Sequence, residues 1–304
     1  MAHEDNGEPP VRRSRRNLAK QAADFLPASI TPEISLPAIA TLPASELLTT
    51  KLTSLPKRDI TLLQRKQRLL RLQSKTHTSD AIAQIALAAT LVFAQEEAGT
   101  AVCISPTGLL LTCAHCVAES PADYSPNERK YLLFASGRAV SATCIAYDAK
   151  RDLALLRIAA AQQQQQQRQQ TAAFASVPIS ADPPRASARL ICVGHPGSED
   201  LEAAAPGQKT GYDVLHVSFG RYRGIADGAD VQDNSEIGAL MHDCWTYWGH
   251  SGAPLCLAGG SGGLVGVHSS WDDETGMRRG VAWEAVVAFL RENGHSAVLG
   301  DVSE

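Results

Sequence analysis

From residue 81 onward the chain alternates short apolar runs with Gly, Pro and polar turns. Runs over 88–94, 101–104, 109–112, 131–135, 139–147 and 153–158 predict strands. Short strands at regular spacing with turn signals between them argue for a β-barrel or sandwich. A tract over 162–170 follows, in which only Arg168 is not Gln. It cannot build a core and reads as a flexible linker. A second strand set lies over 189–193, 214–222, 238–241 and 263–268. A closing helix spans about 283–292, with Val286, Val287 and Leu290 on one face and Asn293-Gly294 as its stop. The pattern describes two β halves joined by a linker, with a helix at the end.

The first 80 residues have a different character. Pro9-Pro10, the basic cluster from Arg12 to Arg16, and a Ser/Thr/Pro-rich run to Pro56 predict a largely disordered N-terminal arm. Within it, 60–75 reads as a basic amphipathic helix: Leu62, Leu63, Leu69, Leu70 and Leu72 interleave with Arg65, Lys66, Arg68, Arg71 and Lys75. Such a helix docks on a partner, on an acidic membrane surface or on its own domain, and packing on its own domain is slightly favoured. The expected division is an arm over 1–80, a domain over 81–294 and a tail over 295–304. The domain divides into a first half over 81–160, a Gln-rich linker over 161–175 and a second half over 176–294.

Composition narrows the class without choosing a function. The 304 residues are 44% hydrophobic, enough for a substantial core, and a net charge of −4 gives no signature of nucleic-acid or membrane binding. No apolar stretch reaches bilayer length, and the polar start from Met1 to Asp5 has no apolar h-region behind it. The reading is an unsecreted chain of the cytoplasm or nucleus. Seven cysteines, an odd number scattered through strand-like segments, fit buried free thiols better than a disulfide framework. Cys113 and Cys116 form a C-x-x-C, but no second pair follows, so neither a metal nor a cofactor is expected.

Three segments carry chemistry. His115 ends the apolar run Leu109–Thr112, Asp152 opens the run that begins at Leu153, and Ser251 stands between Gly249 and Gly252 in a tight turn. A serine hydroxyl needs a base within hydrogen-bond reach. His115 supplies one, and Asp152 would hold its tautomer and stabilise the imidazolium. Gly249 can adopt backbone angles that let its N–H converge with that of Ser251 on a developing oxyanion.

The order His, Asp, Ser is that of the chymotrypsin-like proteases, and the local motifs resemble that family over about 88–292. Thr112-Cys113-Ala114-His115-Cys116 is similar to its T-A-A-H-C, and Gly249-His250-Ser251-Gly252-Ala253-Pro254 to its G-N/D-S-G-x-P. The opening Gly99-Thr100-Ala101 and the segment Val193-Gly194-His195-Pro196-Gly197 resemble HtrA-like and glutamyl endopeptidase domains. The resemblance implies an all-β fold of two six-stranded antiparallel barrels with a C-terminal helix. His115 and Asp152 would come from the first barrel and Ser251 from the second. It also implies a substrate-binding set of Thr246, His268, Ser269 and Ser270. In glutamyl endopeptidases a Thr and a His at the positions of Thr246 and His268 contact an acidic P1 side chain.

The leading expectation is a serine endopeptidase acting on protein or peptide through an acyl-enzyme, with acidic P1 preference as the sharper form. The alternative is a weak or inactive protease-fold module that binds a protein partner. A nucleic-acid role for Arg12–Arg16 ranks last, and the sequence gives no oligomeric state.

Overall fold

The computed structural model describes residues 40–42, 57–73, 78–94, 99–126, 128–162, 173–200, 203–205 and 207–300. The Arg12–Arg16 cluster and the Gln tract beyond Gln162 lie outside them. Six strands close the first barrel: β2 (Thr90–Phe93), β3 (Thr100–Ser105), β4 (Leu109–Thr112), β5 (Arg129–Phe134), β6 (Ala139–Asp148) and β7 (Leu153–Gln162). They run in the order β7-β4-β3-β2-β5-β6, and β6 pairs back onto β7. A short strand β1 (Ala40–Leu42) lies parallel along the end of β7, with Ala40 opposite Ala160.

The second barrel comprises β8 (Arg189–Gly194), β9 (His216–Ile225), β10 (Leu240–His242), β11 (Pro254–Leu257), β12 (Leu264–Trp271) and β13 (Arg278–Ala282). It closes in the order β10-β13-β12-β11-β8-β9. Within both barrels the strand pairs are antiparallel. Inward residues such as Leu110, Leu132, Leu156, Leu190, Leu240 and Leu255 are fully buried and supply the main driving force for closure. The C-terminal helix, α3 (Trp283–Glu292), buries Val286, Val287, Phe289 and Leu290, matching the periodicity of the sequence. No helix among the described residues is long and apolar enough to cross a membrane.

Three elements differ from the sequence reading. The strand expected over 88–94 begins only at Thr90, because residues 81–89 form a helix, α2 (Ala81–Ala89). Its run of alanines has high helix propensity, and the Asp80 carboxylate caps it by accepting from Ala83 N–H at 2.9 Å. Strands β11 and β13 had no sequence signal of their own. One is four residues opening on Pro254, and the other begins with two arginines and a glycine. Tertiary pairing makes them strands where propensity does not.

Helix α1 (Lys57–Gln73) lies against both barrels. Ile60, Leu63 and Leu70 enter the core. The Lys66 ammonium, only 3% exposed, donates to Phe93 O at 2.9 Å, and Gln67 Nε2 donates to Gly137 O at 2.8 Å. At its far end Gln73 Oε1 accepts from Leu215 N–H at 3.2 Å, reaching the segment that enters β9. Burying one leucine stabilises by roughly 1.5–3 kcal/mol. A Leu63→Ala substitution is therefore expected to lower the stability of the folded chain by about 2–5 kcal/mol, read from urea unfolding. An unchanged midpoint would show that α1 contributes nothing to the fold.

Candidate active site

A cleft of about 730 Å³ runs between the barrels, and His115, Asp152, Gly249, Ser251, His268, Ser269 and Ser270 all line it. His115 sits on a single 3-10 turn (Ala114–Cys116) that follows directly on β4. Asp152 closes the β6–β7 hairpin, whose strands are already paired at Asp148 and Leu153. Ser251 lies in the loop between β10 and β11.

The Asp152 carboxylate meets the His115 ring with both oxygens, at 2.9 and 3.0 Å from Nδ1, and also accepts from the His115 backbone N–H at 3.2 Å. Nδ1 therefore carries the proton, and Nε2 is left as the basic nitrogen. Burial opposes a charge on this imidazole. The neighbouring Cys116 thiol and the Asp152 carboxylate outweigh that and raise its pKa above the usual histidine value. Cys113 lies beneath the pair, completely buried, and donates to His268 O at 3.3 Å. Its sulfur, the His115 ring and the Asp152 carboxylate place one ligand atom each within 4.8 Å of one another, the arrangement among the described residues that could hold a metal ion. The histidine and the carboxylate in it are already bonded to each other.

The Ser251 turn is anchored by its carbonyls. Gly249 O accepts from Gly99 N–H at 3.1 Å and from the Thr100 hydroxyl at 2.8 Å, while Ser251 O accepts from Thr100 N–H at 2.8 Å. With those carbonyls turned toward β3, the N–H groups of Gly249 and Ser251 have no protein acceptor among the described residues. Gly249 holds φ at 99°, a region a side chain would strain. A Cβ on Gly252 would come within 2.1 Å of Thr100 O, so the turn tolerates no side chain there. The preceding His250 is fully buried, and its ring nitrogen Nδ1 accepts from Tyr247 N–H at 3.1 Å. Burial drives its pKa down to about 3, so it serves as a neutral cap to the turn.

The Ser251 hydroxyl donates to Ser269 O at 3.0 Å and not to His115. His268 lies on the cleft wall and stands 3.1 Å from His242 Nε2 through Nδ1. Burial, and then the neighbouring imidazoles, push the His268 pKa well below the ordinary value. Thr246 is not on the wall: it is 3% exposed, and its hydroxyl has no hydrogen-bond partner. Trp248 and Trp271 pack edge to face at the mouth, with centroids 4.5 Å apart.

Two contributors escaped the sequence reading. Thr100 anchors the Ser251 turn, and its only signal was membership in the Gly99-Thr100-Ala101 segment. His242 gave none, being one polar residue at the end of a three-residue strand. All seven cysteines are free, six of them buried.

None of the curated proteins matches the chain. Among solved structures it is similar to the inactive form of Rv3671c from M. tuberculosis H37Rv, at 18% identity over 71% of this chain and 91% of that one, with a TM-score of 0.48. It is also similar to the serine endoprotease from Yersinia pestis, at 18% identity over 73% of this chain and 69% of that one, with a TM-score of 0.50. At such identities the likeness is one of fold. The family comparison reaches further, since the model of the trypsin-like peptidase domain matches residues 99–267, from the anchor of the Ser251 turn to the strand beyond it. The chain thus belongs to the trypsin-like peptidase family and is a serine protease.

Proposed function

We propose that this protein cleaves peptide bonds with Ser251 as nucleophile, His115 as general base and then acid, and Asp152 as the group that orients and stabilises the imidazolium. The observation that carries this reading is the His115–Asp152 pair, bonded at 2.9 Å on the wall of the same cleft as Ser251. His115 would take the proton of Ser251 as its oxygen attacks the carbonyl carbon. The oxyanion would be held by the free N–H groups of Gly249 and Ser251, and the proton would pass to the leaving amine. Water then repeats the sequence on the acyl-enzyme.

The resting orientation of Ser251 favours a second reading, a weakly active module that binds a protein partner. Its weight can be judged by magnitude. Releasing one neutral hydrogen bond to Ser269 O costs roughly 0.5–1.5 kcal/mol, about tenfold in rate at most. A rotation of the serine side chain is therefore a modest tax on turnover, and the protease reading stands ahead.

For the P1 side chain we favour an acidic residue. His268 lies on the wall with His242 bonded to its Nδ1. A carboxylate entering the pocket would accept from the imidazole and draw it toward the charged form. Such charge-assisted bonds are worth about 1.5–3 kcal/mol.

Labelling of the full chain by a fluorophosphonate tests the nucleophile: Ser251→Ala should abolish labelling and reduce hydrolysis by about a million-fold. Wild-type protein that takes no label would favour the binding module. Because the base must be neutral and its pKa is raised, kcat/KM should climb with pH through a value above 6.5. A limb at or below that value would contradict the Asp152 and Cys116 contribution. Peptides differing only at P1 should show Glu preferred over Leu by about 10-fold or more, and His268→Gln should erase most of that ratio. Equal turnover of the two peptides by wild type would remove the acidic preference and leave the triad untouched.

A further inference from the structure

Asp152 occupies an unusual backbone conformation. Its φ is 52°, in the left-handed region that a non-glycine residue enters at a cost of about 1–3 kcal/mol unless its surroundings hold it there. The side chain of the preceding residue provides such a hold. The Arg151 backbone N–H donates to Asp148 Oδ1 at 3.0 Å, and Nη1 donates to Asp148 Oδ2 at 2.9 Å, closing the turn on the end of β6. Nε donates to Gln232 Oε1 at 2.7 Å, in the loop between β9 and β10 of the second barrel. Nη1 and Nη2 grip the two oxygens of Glu292, the last residue of α3, at 2.7 and 2.8 Å. The backbone of the turn adds one more tie, as Lys150 O accepts from Asn234 N–H at 2.8 Å.

One guanidinium therefore joins the hairpin that carries Asp152 to the second barrel and to the C-terminal helix. Isolated surface ion pairs contribute little, but a forked arginine fixed on three elements is the geometry in which direction is set as well as energy. Arg151 does not line the cleft. It touches neither substrate space nor the His115 ring.

We propose that Arg151 is a positioning residue of the protease: it holds Asp152 in its strained backbone state and fixes the His115–Asp152 half of the site relative to the barrel that bears Ser251. This rests on the triad reading given above. Lysine can replace it only in part, since a single ammonium cannot engage Asp148, Gln232 and both oxygens of Glu292 together. The groups that face His115 are Asp152 from the turn, Cys113 and Cys116 beside it in sequence, and His268 from β12. Of these, only Asp152 belongs to the hairpin that Arg151 holds.

The test uses the full chain with Arg151→Met, Arg151→Lys and Glu292→Gln. Arg151→Met is expected to lower kcat by about 10- to 100-fold with KM within about twofold, as misplacement of a group away from the chemistry does. Arg151→Lys should recover part of that loss, and Glu292→Gln should fall between wild type and Arg151→Met. A slackened Asp152 supports the imidazolium less, so the acid limb of kcat/KM should move to lower pH. The same shift should be seen directly, as a lower His115 pKa by NMR, when Arg151→Met is placed in a Ser251→Ala background that needs no turnover. A loss of activity that follows only the unfolded fraction, with the His115 pKa unmoved, would overturn the proposal. So would wild-type kcat in Arg151→Met. Wild-type turnover in Ser251→Ala would instead defeat the triad reading itself, which separates the two failures.

Discussion

An ionised carboxylate removed from water is unfavourable by several kcal/mol unless donors meet it, and Asp152 is only 7% exposed. Most of what surrounds the site answers to that requirement. The carboxylate is met by the His115 ring and by the His115 backbone N–H. Those donors exist only because the 3-10 turn after β4 is brought alongside the β6–β7 hairpin, and β4 and β7 are neighbours in the first barrel, paired from Leu109–Arg157 to Thr112–Ala154. The register of that one strand pair sets the separation of histidine and aspartate. The tautomer of His115 then follows from the carboxylate, and the basicity of Nε2 follows from the tautomer.

The two barrels solve different problems. The first barrel is built around an apolar cluster in which Leu91, Phe93, Leu110, Leu132 and Leu156 are fully buried. It gives the His115–Asp152 pair a rigid mount. The second barrel holds imidazoles in its interior: His242 and His268 are hydrogen-bonded to each other, and His250 stacks edge to face with His268 at 6.4 Å. His242 Nδ1, His250 Nε2, Thr246 Oγ1 and Arg279 Nε are buried with no partner, each at a cost of about 1–3 kcal/mol. A barrel selected for stability alone would fill those positions with aliphatic side chains. Burial holds the rings neutral, with His242 pushed down to about 3. An anionic side chain entering from the cleft would find groups whose ordinary basicity burial has suppressed.

The legible parts of the site were local in sequence. His115, Asp152 and Ser251 could be found because each stands at a strand–turn boundary with a short motif around it. The helix at 283–292 could be found because Val286, Val287 and Leu290 repeat on one face and Asn293-Gly294 supplies a stop. The strand β13 could not, since Arg278-Arg279-Gly280 carries no β signal and is ordered only by β10 and β12 on either side. For the same reason Arg151 carried no sequence signal of its own. Its partner Glu292 lies 141 residues away, and nothing near either residue announces the other. Thr246 is the reverse case: the family resemblance places it in the substrate-binding set, while in the fold it is buried and does not line the cleft. Motifs locate the candidate groups, and long-range pairing decides which of them share a surface.

The site is unequally prepared. The histidine and aspartate are bonded at rest, and the N–H groups proposed to hold the oxyanion have no acceptor among the described residues, while Gly99 and Thr100 engage the carbonyls of the same turn. Only the serine hydroxyl is turned aside, to Ser269 O. That order is the favourable one energetically. Orienting backbone dipoles and a hydrogen-bonded histidine–carboxylate pair during the reaction would cost more than a rotation about one bond of serine, which costs about one kcal/mol. Ser269 O belongs to the part of β12 beyond its pairing with β11, which ends at Val267. A peptide laid along this open edge would compete for the polar groups of the strand that now hold the serine. On the proposed mechanism, a peptide engaging this strand would also release the Ser251 hydroxyl from Ser269 O.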